Sequence, residues 1–155
     1  MDAAREPRHF AAAEGRVHKL GRMTLTFKDT GSGHYSLCEA IEPPDSGAGR
    51  HRHRYDEHFI ICEGHYEFQI GERTLSLGPG EMVFVPGGTP HAFRSIGPET
   101  GRQLILSTPG GLFEAFIEDV ESAMVDSGKP SDNRPAIDFR AIAARHGIEF
   151  VDGPA

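Results

Sequence analysis

His51-Arg52-His53-Arg54-Tyr55-Asp56-Glu57 is the stretch that decides how this chain reads. His51 and His53 are two residues apart, so on a β-strand both imidazoles point to the same face. Glu57 follows after three residues, enough for a bend that returns its carboxylate to the same interior. Convergence from elsewhere comes from His91, which lies behind the Pro86-Gly87-Gly88-Thr89-Pro90 turn at the start of another expected strand. Three imidazoles and one carboxylate suit Mn, Fe, Co, Ni, Cu or Zn, and leave open positions on a five- or six-coordinate ion.

Around this stretch the text breaks into short alternating runs from Val17 to Ser107. Leu25 and Phe27 alternate with Thr24 and Thr26, and Tyr35 and Leu37 follow the Gly31-Ser32-Gly33 turn. Tyr66, Phe68 and Ile70 alternate with His65, Glu67 and Gln69 before Gly71-Glu72 turns the chain toward Leu75 and Leu77. Gly78-Pro79-Gly80 and Pro86-Gly87-Gly88 bracket a further run, Met82 to Val85. Strands this short, with turns this regular, predict a β-sandwich or barrel rather than a βαβ fold. After Pro109-Gly110-Gly111 the period changes. Leu112, Phe113, Phe116, Ile117, Val120 and Met124 recur at helical spacing, which predicts an amphipathic helix over 112–124 packing on a sheet or serving as dimer surface. Ser127 to Pro135 reads as a loop, Asp138 as the cap of a short helix through Arg145 with Gly147 as its stop, and Ile148 to Val151 as a final strand.

The chain has 155 residues, with 16 Lys and Arg against 23 Asp and Glu, a formal net charge of −7. That balance, with no basic block, argues against nucleic acid or an anionic membrane as partner. Apolar runs such as Phe59 to Cys62 are far too short to span a bilayer. The charges flanking Ala11 to Ala13 spoil a signal-peptide core. Two cysteines, Cys38 and Cys62, make no disulfide framework, so the expected compartment is the cytoplasm.

At this point the sequence resembles the cupin superfamily. The first motif of that family is Gly, five residues, His-x-His, three or four residues, Glu, six residues, Gly; His51, His53, Glu57 and Gly64 match it, with Asp45 at the place of the leading Gly. The second motif is Gly, five residues, Pro-x-Gly, two residues, His, three residues, Asn. Gly80, Pro86, Gly88 and His91 match it, and Ser95 stands where Asn is usual. The likeness extends more weakly through Thr108 to Phe113 and His146 to Phe150, in the manner of single-domain, quercetin-dioxygenase-like cupins. It implies an all-β double-stranded β-helix (jelly-roll) barrel over residues 17–108, with one or two C-terminal α-helices. Residues 1–16 are expected as an N-terminal arm, and 109–155 as a helical extension packing on the barrel. It further implies His51, His53, Glu57 and His91 as ligands of one divalent transition metal per chain, Glu57 doubling as catalytic base, and a homodimer.

A divalent ion held by three neutral imidazoles and one carboxylate keeps a net charge of about +1, which favours an anionic oxygen such as an enolate or phenolate. Strand parity places Phe59 and Ile61 in phase with Glu57, and Phe93 in phase with His91, as candidate walls of a substrate pocket. The expected function is a dioxygenase-type oxidoreductase acting with O2 on a small aromatic or enediol-like molecule. Two alternatives stand beside it: a Lewis-acid isomerase or cyclase, and a binding barrel without turnover. His58 is expected to face away from the metal, and Cys62 to be a buried, inert thiol.

Overall fold

The computed structural model describes residues 6–29, 33–127 and 137–151. Its strands are β1 (Arg16–Leu20), β2 (Met23–Asp29), β3 (Ser36–Glu42), β4 (Gly47–Arg52), β5 (Asp56–Glu63), β6 (His65–Ile70), β7 (Arg73–Leu77), β8 (Met82–Val85), β9 (His91–Ile96) and β10 (Gly101–Thr108). Helices α1 (Leu112–Ser127) and α2 (Phe139–Arg145) follow, and then the short strand β11 (Glu149–Phe150). The strands form two sheets, in the orders β1-β2-β3-β10-β5-β8 and β11-β4-β9-β6-β7. From β3 to β10 the chain passes back and forth between the sheets, and every pairing is antiparallel. This is the all-β jelly-roll winding of a double-stranded β-helix, with its helices C-terminal to the barrel.

Aromatic rings fill the space between the sheets. Phe59, Phe68 and Phe93 lie with centroids 5.2 to 5.5 Å apart, and Phe27 and Tyr66 are fully buried. Opposite so much volume, other strands must contribute little. The inward face of β3 is Ser36, Cys38, Ala40 and Glu42, and that of β10 is Gly101, Gln103, Ile105 and Ser107. Leu37, Ile41, Leu104 and Leu106, the residues that make these strands look apolar, are half-buried on the outer face. Gly101 shows how tight the fit is, because a Cβ there would run into the Tyr66 hydroxyl.

The apolar stripe of α1 buries Phe116, Ile117 and Val120, and the helix runs past the expected end at Met124 to Ser127. Asp138 caps α2 as its position suggests, accepting from the Ala141 N–H at 3.0 Å. The expected final strand is shorter than Ile148 to Val151, since only Glu149 and Phe150 pair with β4. The loop expected over Ser127 to Pro135 falls outside the described residues from position 128 onward. Residues 6–15 form no strand or helix, but Arg8 bonds Asp29 at 2.8 Å and Lys28 Nζ bonds the Ala12 and Glu14 carbonyls, tying this segment to β2. Cys38 is the fully buried thiol. Cys62 is only half-buried, because the parity that turns Ile61 inward turns its neighbour out. Neither described helix is long and apolar enough to cross a membrane.

Candidate metal centre

Two strands of one sheet and one strand of the other supply the site. His51 near the end of β4 pairs directly with His91 at the start of β9. His53 follows just beyond β4, and Glu57 is the second residue of β5 in the facing sheet. The chain turns back between His53 and Glu57, so residues four apart meet. One donor atom from each of the four residues lies within 4.8 Å of the others. His53, Glu57 and His91 are buried, and His51 is half-buried.

The three imidazoles are oriented by one repeated device. Nδ1 of His51 lies 2.7 Å from the Gly49 carbonyl, Nδ1 of His53 lies 3.0 Å from that of Tyr55, and Nδ1 of His91 lies 2.8 Å from that of Thr89. A carbonyl oxygen only accepts, so each Nδ1 carries the proton and each Nε2 keeps its lone pair for the interior. Yet Nε2 of His53 and Nε2 of His91 lie 2.9 and 3.0 Å from the same Glu57 Oε2. A carboxylate oxygen only accepts as well. Lone pair therefore faces lone pair unless a cation or an extra proton sits among them, and this donor set fits a divalent transition metal.

The charge states agree with that use. Burial, aided by the nearby His91, lowers His51 to about 4, so its imidazole is neutral at pH 7. Burial alone would raise Glu57, but His53 and His91, where an extra proton on Nε2 stands in for the cation, outweigh it and hold the carboxyl at about 2. Both groups are in the form a metal ligand needs. The same depression makes Glu57 a weak proton acceptor. Tyr55 stacks flat on His53, with centroids 3.6 Å apart and planes 7° from parallel, and so limits the tilt of that ring.

Residues 39–106 match the family described as Cupin domain. The barrel carries a cupin domain. Solved structures agree in fold: KdgF from Halomonas sp. superposes with a TM-score of 0.62 at 15% identity, over 68% of this chain and 96% of that one. An RmlC-like cupin from Shewanella frigidimarina gives a TM-score of 0.58 at 16% identity, over 67% and 93% of the two chains. The polyketide cyclase RemF from Streptomyces resistomycificus gives 0.59 at 23% identity, over 66% and 80%. No curated protein matches by sequence.

Beside this cluster of candidate ligands the barrel has an interior cavity of about 170 Å³. His51 and Glu57 face the cavity, whereas His53 and His91 are absent from its lining. Phe59 and Phe93 line its wall. Ile61, in the same phase, belongs to the core and lies outside the lining. His58 points to the outer face, where its ring lies 4.7 Å from that of Phe84. Among the lining residues with no signal in the ligand motifs are Tyr55, Glu42 and Phe150. Phe150 comes from β11, directly opposite His51 in the pairing, with ring centroids 6.0 Å apart. Spacing in sequence gives no hint of so distant a partner. Tyr55 alone could have been found, as the aromatic residue lying between two ligands.

Proposed function

We propose that this cupin is a metal-dependent enzyme, a dioxygenase-type oxidoreductase that acts with O2 on a small aromatic or enediol-like molecule. The observation that carries the metal-dependent part is the set of three Nε2 lone pairs and one carboxylate, each imidazole fixed by a backbone carbonyl at its far nitrogen. His51, His53, Glu57 and His91 would hold one divalent first-row ion, which supplies a Lewis-acidic centre and, if redox-active, a place for O2. The chain's own residues do the rest. His51 and Glu57 bring the charged end of the site to the cavity, while Phe59 and Phe93 exclude water and offer aromatic faces to a flat molecule. Glu57 is foremost a ligand, and as a base it takes only the proton of an already acidified hydroxyl. A cavity of about 170 Å³ favours single-ring molecules over multi-ring ones, since about 150 Å³ already admits benzene.

The test is elemental analysis of protein expressed with several first-row metals, followed by O2-electrode assays with catechols, tropolones and small enediols. One equivalent of Fe, Mn, Ni, Co or Cu with O2 uptake is the expected result. Turnover without O2 uptake would move the protein to the Lewis-acid isomerases and cyclases, and metal uptake without any turnover to the binding barrels. Homodimerisation belongs to the same proposal, supported by β8, a sheet-edge strand that exposes Met82 and Phe84. A monomer in sedimentation velocity removes it.

A further inference from the structure

At the end of the cavity away from the ligands stands Glu42, the last residue of β3. It is 1% exposed, yet it lines the cavity. The Tyr66 hydroxyl donates to its Oε2 at 2.6 Å, and Gln103 Nε2 donates to the same oxygen at 2.9 Å. Both bonds fall on one oxygen, and Oε1 accepts none among the described residues.

Strand register shows what separates this group from the metal centre. Along β10, Ser107 lies opposite Glu57, Ile105 opposite Phe59, Gln103 opposite Ile61, and Gly101 opposite Glu42. In the other sheet, His91 lies opposite Ile70, Phe93 opposite Phe68 and Ser95 opposite Tyr66. The aromatic layer of Phe59, Phe68 and Phe93 therefore sits between a charged end and a second polar end. A buried carboxyl with two fixed donors is a costly way to fill a core, since apolar groups of equal size are often as stable or more so. Burial pushes Glu42 up to about 7 against the lowering pull of Tyr66 and Gln103. In either protonation state Oε1 keeps a lone pair for an incoming donor.

We propose that Glu42 is the polar anchor for the substrate, its Oε1 accepting a hydrogen bond from a hydroxyl or amine at the end remote from the metal. This rests on the metal-dependent reading above and narrows its substrate class. The molecule is slender, with a metal-seeking oxygen at one end, an apolar or aromatic middle, and a hydrogen-bond donor at the other. Where Glu42 is ionised, a carboxylate or phosphate at its end is rejected by like charge. Tyr66 and Gln103 are positioning residues, which hold one carboxyl oxygen so that the other is presented.

Isothermal titration with a matched pair of probes tests this: 3-(4-hydroxyphenyl)propanoate, and its 4-methyl analogue, which lacks the donor. On the metal-loaded protein the hydroxyl probe should bind about ten- to a hundredfold tighter, the range for a hydrogen bond to a charged group. Glu42→Leu should abolish that preference and leave the methyl probe's affinity within about twofold. Glu42→Gln keeps Tyr66 and Gln103 bonded to its carbonyl and turns an NH2 toward the cavity, so the preference should also fall in a variant that packs like the wild type. Equal affinity of the two probes for the wild type, equal loss of both in the variants, or binding of neither overturns the proposal. A chain that takes up no metal overturns the metal-dependent reading alone. The preference for the hydroxyl probe, measured on that metal-free chain, still decides the role of Glu42.

Discussion

Asp45 donates its backbone N–H to the carbonyl of Ser95 at 2.9 Å, and the Ser95 N–H in turn donates to the Ser46 carbonyl at 2.8 Å. These are the two positions at which the chain departs from the cupin motifs, and they meet. Asp45 has φ +68°, and it is the one non-glycine residue with positive φ among those described. The left-handed bend that glycine usually makes is kept here by aspartate, which tolerates that region better than most residues. Glycine relieves the remaining strain, and alanine worsens it. Asp45→Gly should raise stability by about 0.5–1 kcal/mol and Asp45→Ala should lower it by about 1 kcal/mol, read by urea unfolding. Equal stability of all three proteins would mean that the bend carries no strain.

Removing one metal ligand should empty the site without opening the barrel. His53→Ala and Glu57→Ala should each fall from about one metal equivalent to less than about a tenth, since even changes to groups behind a ligand cost about 10–100-fold in affinity. Far-ultraviolet circular dichroism should stay that of a β-barrel. Full occupancy in either variant would show that the ion sits elsewhere.

Tyr55 offers a subtler probe, because it stacks on His53 without belonging to the four-residue cluster. Tyr55→Phe preserves the ring stacked on His53 and should leave metal affinity within about twofold. Tyr55→Leu removes the flat partner and should weaken affinity by up to about tenfold, the equivalent of an aromatic pair. Competition with a chromogenic chelator measures both, and indistinguishable affinities in the two variants would sink the orienting role.

Glu42 also sets a dependence of stability on pH. Its folded value of about 7 lies above the ordinary 4.5, so the native chain keeps this proton longer than the unfolded one. Its contribution is fully present below about 4.5 and is lost as pH rises through 7. The side chains facing it are Tyr66 on β6, Gln103 on β10 and Cys38 on its own strand. Burial pushes the phenol and the thiol upward, away from that window, and the amide does not titrate. Glu42→Gln should therefore gain on the wild type as pH rises from 5 to 8, by up to about 3 kcal/mol. A difference that stays flat across that range would contradict a raised carboxyl.

How far the sequence could be read depended on whether partners were local. His51, His53 and Glu57 were legible because strand parity and one bend fix their relation, and His91 because a Pro-Gly turn announces the strand that returns it. Helix α1 and the Asp138 cap were legible for the same reason. Glu42 was not. On β3 the eye follows Leu37 and Ile41, yet the barrel is so filled by aromatic rings from other strands that the inward positions go to Ser36, Cys38, Ala40 and Glu42. Phe150 was hidden for a different reason: only the finished sheet brings it beside His51.

The pairing of β11 with β4 also has a consequence in time. All four ligands have been translated by residue 91, but Phe150, which stands beside His51, comes 59 residues later. At roughly 5–20 residues per second this interval lasts about 3–12 s. On the ribosome, then, the β4 edge that carries His51 lacks its β11 partner throughout that interval.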